Sequence, residues 1–424
     1  MSWDTIFILS FLVFLIIRVP IAVALLGSSL IFLVGTGQNL QIIPQIMTSA
    51  FNSFVLLCIP LFMIAGELMN TGGVTNRLFA FARTIVGHIK GGLGHVNVLA
   101  SMIFAGMTGS AVADAAGLGV VEIKAMTDDG FDAEYSAAIT AASSTIGPII
   151  PPSISLVLYG SMTGTSIGAL FLGGVVPGIV MGMSLLIAGY IISKRKNYPA
   201  VAKATWRKRG LAFIEAFPSL LTPAIILGGI LTGIVTPTEA AVVAVIYSMA
   251  LGVLYRELDW NSLLRCMFSV AKSISTIVFI VAAASVFGWI LTYIGLPQRL
   301  ADALLQISNN KYVIMLVLNL LLLFLGCFME SIAIILILVP MLMPIVDAVG
   351  IDRVQFGVVM AVNIAIGLCT PPVGVCLYIV AAIGKISLEA VCKAIWPLVT
   401  ALLVALALIS YVPATVLWLP SVLL

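Results

Sequence analysis

Residues 137–159 read AAITAASSTIGPIIPPSISLVLY, and the reading of this stretch decides the fold. Its flanks are strongly apolar, yet residues 143–153 hold Ser-Ser-Thr, a glycine and three prolines. A continuous membrane helix cannot pass through such a segment, because proline lacks the amide proton and clashes with the carbonyl one turn back. A second copy, VNIAIGLCTPPVGVCLY, occupies residues 362–378. Ile146-Gly147 aligns with Ile366-Gly367 and Pro151-Pro152 with Pro371-Pro372, both at an offset of 220 residues. Two interrupted apolar segments in corresponding halves of a chain are the best sequence pointer to the binding site of a secondary transporter.

The rest of the composition agrees. Of 424 residues, 62% are hydrophobic and only 9% charged, which no soluble core requires, so the expected class is an all-α polytopic membrane protein. The net charge of +3 and the lack of a basic-aromatic patch give no reason to expect a nucleic-acid partner. Cys58, Cys266, Cys327, Cys369, Cys376 and Cys392 lie in or beside apolar segments without CxxC spacing, so neither a cofactor nor a redox or transition-metal site is expected. Asp4 and the absence of a basic residue before the first apolar run are unlike a secretory signal, so residues 1–34 are expected to stay in the mature protein.

Working outward, the first half shows apolar segments near 5–17, 20–34 and 53–69. The first two are short for spans of roughly 20 residues. They read either as one helix kinked at Pro20 or as two spans, and TPTEAAVVAV near Pro237, at an offset of 217, favours two. Residues 74–89 place Leu78, Ala82, Ile85 and Ile89 in helical phase opposite Arg77, Arg83 and Lys90, as in an interfacial amphipathic helix. The counterpart is 296–307, with Leu296, Leu300, Leu304 and Ile307 in phase. Each is followed by an apolar stretch broken at its centre: 93–124 at Thr108-Gly109-Ser110, and 312–346 around 326–331. Arms of about 15 residues are too short to cross and fit re-entrant hairpins whose tips are buried or line a cavity.

The near-constant offset predicts two repeats. The first covers 1–192 with hairpin 93–124 and broken helix 137–160. The second covers 211–424 with hairpin 312–346, broken helix 355–383 and a last span near 396–417. Between them lies the basic linker 193–210. Five crossings per half make the repeats inverted. With the basic linker in the cytoplasm, 17 of the 20 basic residues fall inside, leaving Arg299, Lys311 and Arg353 outside, and both termini are external.

At each helix break, backbone groups lose their helical partners: half-helix N-termini attract anions and unwound carbonyls coordinate cations. Ser143, Ser144, Thr145 and Thr370, with Asn363 before the second break, add neutral oxygens suited to sodium; Thr108, Ser110 and Ser331 add more from the hairpin tips. Gly109, Gly147, Gly326, Gly367 and Pro371 complete the candidate sodium- and substrate-binding set together with the intramembrane acids Asp114 and Glu330. The alternative for each hydroxyl and glycine is plain helix contact, and for each acid a carboxylate tied to backbone donors. Glu67 and Glu239 read as snorkelling or capping groups, and Glu122, Lys124, Asp128, Asp129, Asp132 and Glu134 as a solvated turn. His88 and His95 have no ligand spacing, and Gly174, Gly178 and Gly182 read as a helix-contact stripe. No nucleophile–base pair or phosphate loop is present, so no enzymatic activity is expected.

Several segments resemble the large membrane subunit of tripartite ATP-independent periplasmic (TRAP) transporters. They are IPLFMIAGELM at 59–69, FAGMTGSAVADAAGLG at 104–119, IGPIIPPS at 146–153, TPTEAA at 236–241 and CTPPVG at 369–374, and the likeness is greatest to the separately encoded subunits of sialic acid systems. The resemblance implies a bacterial inner-membrane importer of an organic anion, of the sialic acid or C4-dicarboxylate class. It implies an elevator of the ion transporter superfamily type, sodium as coupling ion with one site per hairpin and broken-helix pair, a periplasmic substrate-binding protein and a small four-helix membrane subunit. Because the chain starts with its own first span, that subunit is expected as a separate polypeptide. A membrane potential supplies about 2.3 kcal/mol per charge per 100 mV, so moving two or more sodium ions with one carboxylate couples uptake to voltage. A channel-like or proton-translocating subunit is the alternative, but it calls for an intramembrane Lys, His or Glu relay that the sequence lacks. A membrane enzyme acting on lipid-linked substrates calls for clustered acids or an Arg-rich face, also missing.

Overall fold

The structure, a computed structural model, describes residues 2–52 and 54–424; Met1, Ser53 at the start of the third apolar segment, and the side chain of Ile307 lie outside the described residues. Twenty α-helices and no strand are present among the described residues. This is what a lipid solvent imposes, since helices satisfy every backbone donor and acceptor internally. Among the described residues, seven helices are long and apolar enough to cross a membrane.

α1 (Trp3–Ile16) and α2 (Ile21–Gly35) are two helices packed side by side. Arg18, with a left-handed φ of 62°, and Pro20 at the N-cap turn the chain back on itself, so a single kinked helix is ruled out. α3 (Ile42–Ala50), unanticipated from sequence, lies on the surface with no buried residue. A 3-10 turn over Phe54–Leu57 leads into α4 (Cys58–Thr71). α5 (Val74–Val86) buries Val74, Leu78 and Ala82 on one face, as expected of the amphipathic pattern. It ends before Ile89, and Ile85 is exposed. The cause is tertiary: Gly87 and Gly91 pair with the linker, Val201 N–H donating to Gly87 O (2.9 Å) and Gly91 N–H to Pro199 O (3.1 Å).

α6 (Gly92–Thr108) and α7 (Ala111–Asp128) form the first hairpin. Gly109 takes the left-handed C-cap (φ 61°), and the Ser110 hydroxyl accepts from Ala113 N–H as N-cap. α8 (Ala133–Ser144) and α9 (Ile154–Thr163) are separated by the non-helical residues 145–153, and α10 (Ile167–Lys196) follows. The glycine stripe of α10 receives this break and α6: a Cβ would meet Ile149 O at 2.3 Å from Gly174, Ile150 Cγ1 at 2.3 Å from Gly178 and, on α6, Met102 Sδ at 2.3 Å from Gly182. The second half runs α11 (Trp206–Leu231), α12 (Pro237–Leu254), α13 (Trp260–Tyr293) and α14 (Leu296–Ile307). It continues through the hairpin α15 (Lys311–Gly326) and α16 (Ser331–Ala348), the broken pair α17 (Arg353–Gly367) and α18 (Val375–Gly384), then α19 (Leu388–Tyr411) and α20 (Ala414–Leu423). α19 stops at Tyr411 rather than continuing to 417, because Pro413 cannot extend it and instead caps α20. Glu239 does cap: with Thr236 it forms a capping box at the start of α12.

The two halves interlock. α2 packs on α13 and α4 on α12; α7 packs on α18 and α16 on α9; α8 packs on α19 and α17 on α10. α8 and α17 lie at the centre, almost wholly buried, whereas α11 and α13 present Phe213, Ile214, Phe217, Phe268 and Phe279 outward.

The acidic run 122–134 is not one solvated turn. Glu122 is fully buried in α7, because the helix extends to Asp128 and turns that position inward. Asp132 accepts from the Tyr198 hydroxyl (2.7 Å) and from Lys196, while Tyr198 stacks on Phe131 and Tyr135. The Lys196 hydrogen bond, then that of Tyr198, holds the Asp132 carboxyl below its usual range. A depressed folded-state pKa contributes stability above the ordinary carboxylate pKa that is lost as pH falls through the folded one. The thermal unfolding midpoint of the protein should therefore fall toward acid pH partly through this residue. In Asp132→Asn that part of the acid-side slope should be absent; an identical pH profile would count against it.

Candidate functional site

Both hairpin tips press backbone-to-backbone on the helix breaks. A Cβ on Gly109 would lie 2.6 Å from Pro152 O, and one on Gly147 would lie 3.2 Å from Ser110 O. In the second half a Cβ on Gly367 would lie 2.5 Å from Gly326 C and Cα, and Gly374 N–H donates to Cys327 O (3.2 Å). Only glycine allows approaches this close. The Pro151-Pro152 and Pro371-Pro372 peptides are both cis, at the aligned positions. Within the first break the Ser153 hydroxyl donates to Pro148 O and accepts from Leu156 N–H, capping α9.

Each first hairpin arm is tied to its broken helix through an asparagine that the sequence reading overlooked. Asn97 on α6 donates to Thr140 Oγ1 (2.7 Å) and accepts from Ser143 Oγ (2.7 Å). Asn319 on α15 accepts from Asn363 Nδ2 (2.8 Å) and donates to Ser410 Oγ (3.0 Å). A lone Asn in each apolar arm, at nearly the repeat offset, was the available signal. Ser143 is thus engaged structurally. Ser144, Thr145 and Thr370 donate to Ala141, Ala142 and Ile366 carbonyls one turn back, which leaves their oxygen lone pairs available.

One cavity of ≈ 730 Å³ gathers both tips and both breaks. From the expected set, Thr108, Gly109, Ser110, Glu330 and Ser331 line it; Pro148, Ile154, Ser155, Leu368 and Val375 join them from the breaks. The opposite wall is Gly66, Glu67 and Asn70 of α4 with Ser269, Ser273 and Thr276 of α13, one helix face by spacing. Glu67 therefore faces the cavity rather than capping or snorkelling, since the α4 stripe containing Gly66 packs on the first tip, a Gly66 Cβ lying 3.1 Å from Met107 O. The first residues of α7, α9, α16 and α18 all contribute, so four helix N-termini, each equivalent to about half a positive charge, converge on one space. Its lining holds no Lys, Arg or His. An anion entering it meets oriented amides and the carboxyl groups of Glu67 and Glu330, not a cationic side chain.

The other candidates sit behind this lining. Asp114, Ser143, Ser144, Thr145, Gly147, Asn363 and Gly367 are buried, Gly326 is also buried, and Thr370 and Pro371 are partly so. Among the described residues neither carboxylate oxygen of Asp114 or Glu122 has a hydrogen-bond partner, nor do Thr108 Oγ1 and Asn363 Oδ1. A buried oxygen without a donor is a natural ligand for a hard cation, which takes carboxylate, carbonyl and hydroxyl oxygens. His95 is buried and stacks on Tyr190, and its Nε2 likewise has no hydrogen-bond partner among the described residues. Among the described residues no His/Cys/Asp/Glu group has the geometry of a metal centre, and all six cysteines are free.

Comparison with known proteins is consistent across the whole chain. The large permease protein SiaM of a sialic acid TRAP transporter from Vibrio cholerae is 44% identical over 96% of this chain and 95% of its own length. The sialic acid TRAP transporter permease SiaT of Haemophilus influenzae is 37% identical over 98% of this chain and 68% of its own. The C4-dicarboxylate large permease DctM of Pseudomonas aeruginosa is 40% identical over 87% and 86%. The crystal structure of the Alcanivorax borkumensis YdaH transporter superposes with a TM-score of 0.65 at 14% identity, covering 86% of each chain, which establishes likeness of fold alone. The family model for the DctM component of tripartite ATP-independent periplasmic transporters matches residues 8–415. With these matches spanning both hairpins and both breaks, the chain belongs to the DctM family of TRAP transporters, as a large permease.

Proposed function

We infer that this permease imports a small organic anion, of the sialic acid class in first place, driven by sodium. The observation that carries the reading is the convergence of four helix N-termini and two hairpin tips on one cavity that contains no cationic side chain. The substrate carboxylate would be held by the amides at the starts of α7, α9, α16 and α18, and a coupling cation would supply the positive charge the lining lacks. Thr108, Asp114 and Asn363 fit sodium because their buried oxygens have no donor; Ser144, Thr145 and Thr370 offer lone pairs beside the breaks. The likeness to SiaM, SiaT and DctM supports an anion of the sialic acid or dicarboxylate class.

The exchange of partners between the halves, α2 with α13 against α12 with α4, is what two inverted repeats related by a pseudo-two-fold axis would produce. In that arrangement the hairpins and broken helices form a moving body, and α2, α4, α12 and α13 with the interfacial helices form the scaffold of an elevator. The basic linker would be cytoplasmic and both termini periplasmic in a bacterial inner membrane. A separate small membrane subunit and a periplasmic binding protein would complete the transporter.

Reconstituted vesicles holding the permease, its small subunit and the loaded binding protein test this directly. Uptake of sialic acid should require an inward sodium gradient, and sodium-independent uptake would overturn the coupling. In the same assay Ser144→Ala and Thr370→Val should each raise the sodium concentration for half-maximal uptake about tenfold, the loss of roughly one charge-assisted contact. Unchanged sodium activation would remove these hydroxyls from the ion sites.

A further inference from the structure

Residues 197–205 join α10, 30 residues long, to α11, of 26, and so must lie where the membrane meets water. The ends of these two helices and the linker hold Lys194, Arg195, Lys203, Arg207, Lys208 and Arg209, none of which has an ion-pair partner among the described residues, whereas Lys196 pairs with Asp132. Trp206 starts α11 and is 84% exposed, an unusual position for an indole facing bulk water but an ordinary one at the headgroup level of a bilayer. Arg209 stacks its guanidinium over that indole, Cζ 5.2 Å from the ring centroid. Its Nε and Nη2 are shielded from solvent and meet no acceptor. Arg207 and Lys208 beside it are exposed, and with the Arg209 guanidinium fixed against the ring they concentrate positive charge suited to a phosphodiester at the start of α11.

We propose that the start of α11, through Trp206, Arg207, Lys208 and Arg209, is a binding surface for anionic phospholipid headgroups of the adjoining leaflet. Charge complementarity argues for this occupant: clusters of four to eight basic residues beside a span are attracted to anionic lipid. A consequence for the fold is built in. The same linker pairs with Gly87 and Gly91 at the junction of α5 and α6, and Lys90 donates to Asn197 Oδ1 (2.7 Å). Lipid held at Trp206 therefore anchors the segment that straps the base of the first hairpin.

The test uses the full-length protein in mixed micelles, with lipid retention measured by native mass spectrometry. Phosphatidylglycerol should be retained over phosphatidylcholine, and the preference should shrink as salt rises. The R207Q/K208Q/R209Q variant should lose apparent phosphatidylglycerol affinity on the order of 100-fold, the factor expected for three cations at an anionic surface. Its thermal unfolding in phosphatidylcholine should match that of the unaltered protein. Equal retention of the two lipids by the unaltered protein overturns the proposal even if the variant does not fold. So does displacement of the lipid by an excess of inorganic phosphate, which would mark a site for a soluble anion.

Discussion

Replacing Gly367 by alanine is expected to abolish transport and to lower the thermal unfolding midpoint, although it adds a single methyl group. The added carbon would sit 2.5 Å from Gly326 C and Cα and 2.9 Å from its carbonyl oxygen. These are backbone atoms of the facing hairpin tip, so no rotamer change can relieve the clash. Overpacking of this kind costs about 1–3 kcal/mol where neighbours can shift, and the tip is additionally tied to the break by Gly374 N–H on Cys327 O. The tip must separate from the break to accommodate the methyl, which moves the amides at the start of α16 out of the cavity. Gly228→Ala in α11 is the control: nothing lies within 4 Å of that Cβ, and alanine should be neutral or stabilising by up to about 1 kcal/mol. Vesicle uptake and thermal unfolding of both variants check this. If Gly367→Ala transports normally, tip and break do not need their present contact.

The second large effect concerns Asn319. Asn319→Leu should destabilise the protein by about 1–3 kcal/mol, because the Asn363 amide and the Ser410 hydroxyl both lose a buried partner. Converting both partners to apolar groups is far less costly than stranding one. Thus Asn319→Leu/Asn363→Leu should recover the Asn363 part of the loss while Ser410 stays unpaired, as a double-mutant cycle by thermal unfolding would measure. It should not recover sodium-driven uptake, since Asn363 Oδ1, which has no donor, is lost with it. Recovery of uptake in the double variant would make Asn363 a structural residue and remove it from the ion site.

The parts of this molecule legible in one sequence are those written in local chemistry. Single prolines such as Pro177 and Pro397 are carried inside continuous helices, but the clusters Pro148, Pro151 and Pro152, and Pro371 and Pro372, each close to a glycine, are not, so both breaks were visible. Thr108-Gly109-Ser110 reads as a C-cap followed by an N-cap, and the hairpin turns there. The α5 pattern was readable as amphipathic, but its end was not, because the Gly87 and Gly91 pairing comes from residues more than a hundred positions away. Glu122 looked like part of a polar run, and burial against other elements of the fold decided otherwise.

By itself, then, the amino-acid sequence determined that this is a helical membrane protein built on a repeated plan of hairpin and broken helix, since hydropathy, proline and glycine act within a few residues of themselves. Tertiary structure alone decided which of the fifteen candidate residues face the shared cavity and which brace it from behind. It also decided that Asn97 and Asn319 join arm to break, and that Glu67, Asn70 and the Ser269–Ser273–Thr276 face supply the opposite wall. The reason is physical: in a chain that is apolar on nearly every side, periodicity does not distinguish lipid from protein as a neighbour. The direction a polar side chain points is therefore settled only when the helices meet.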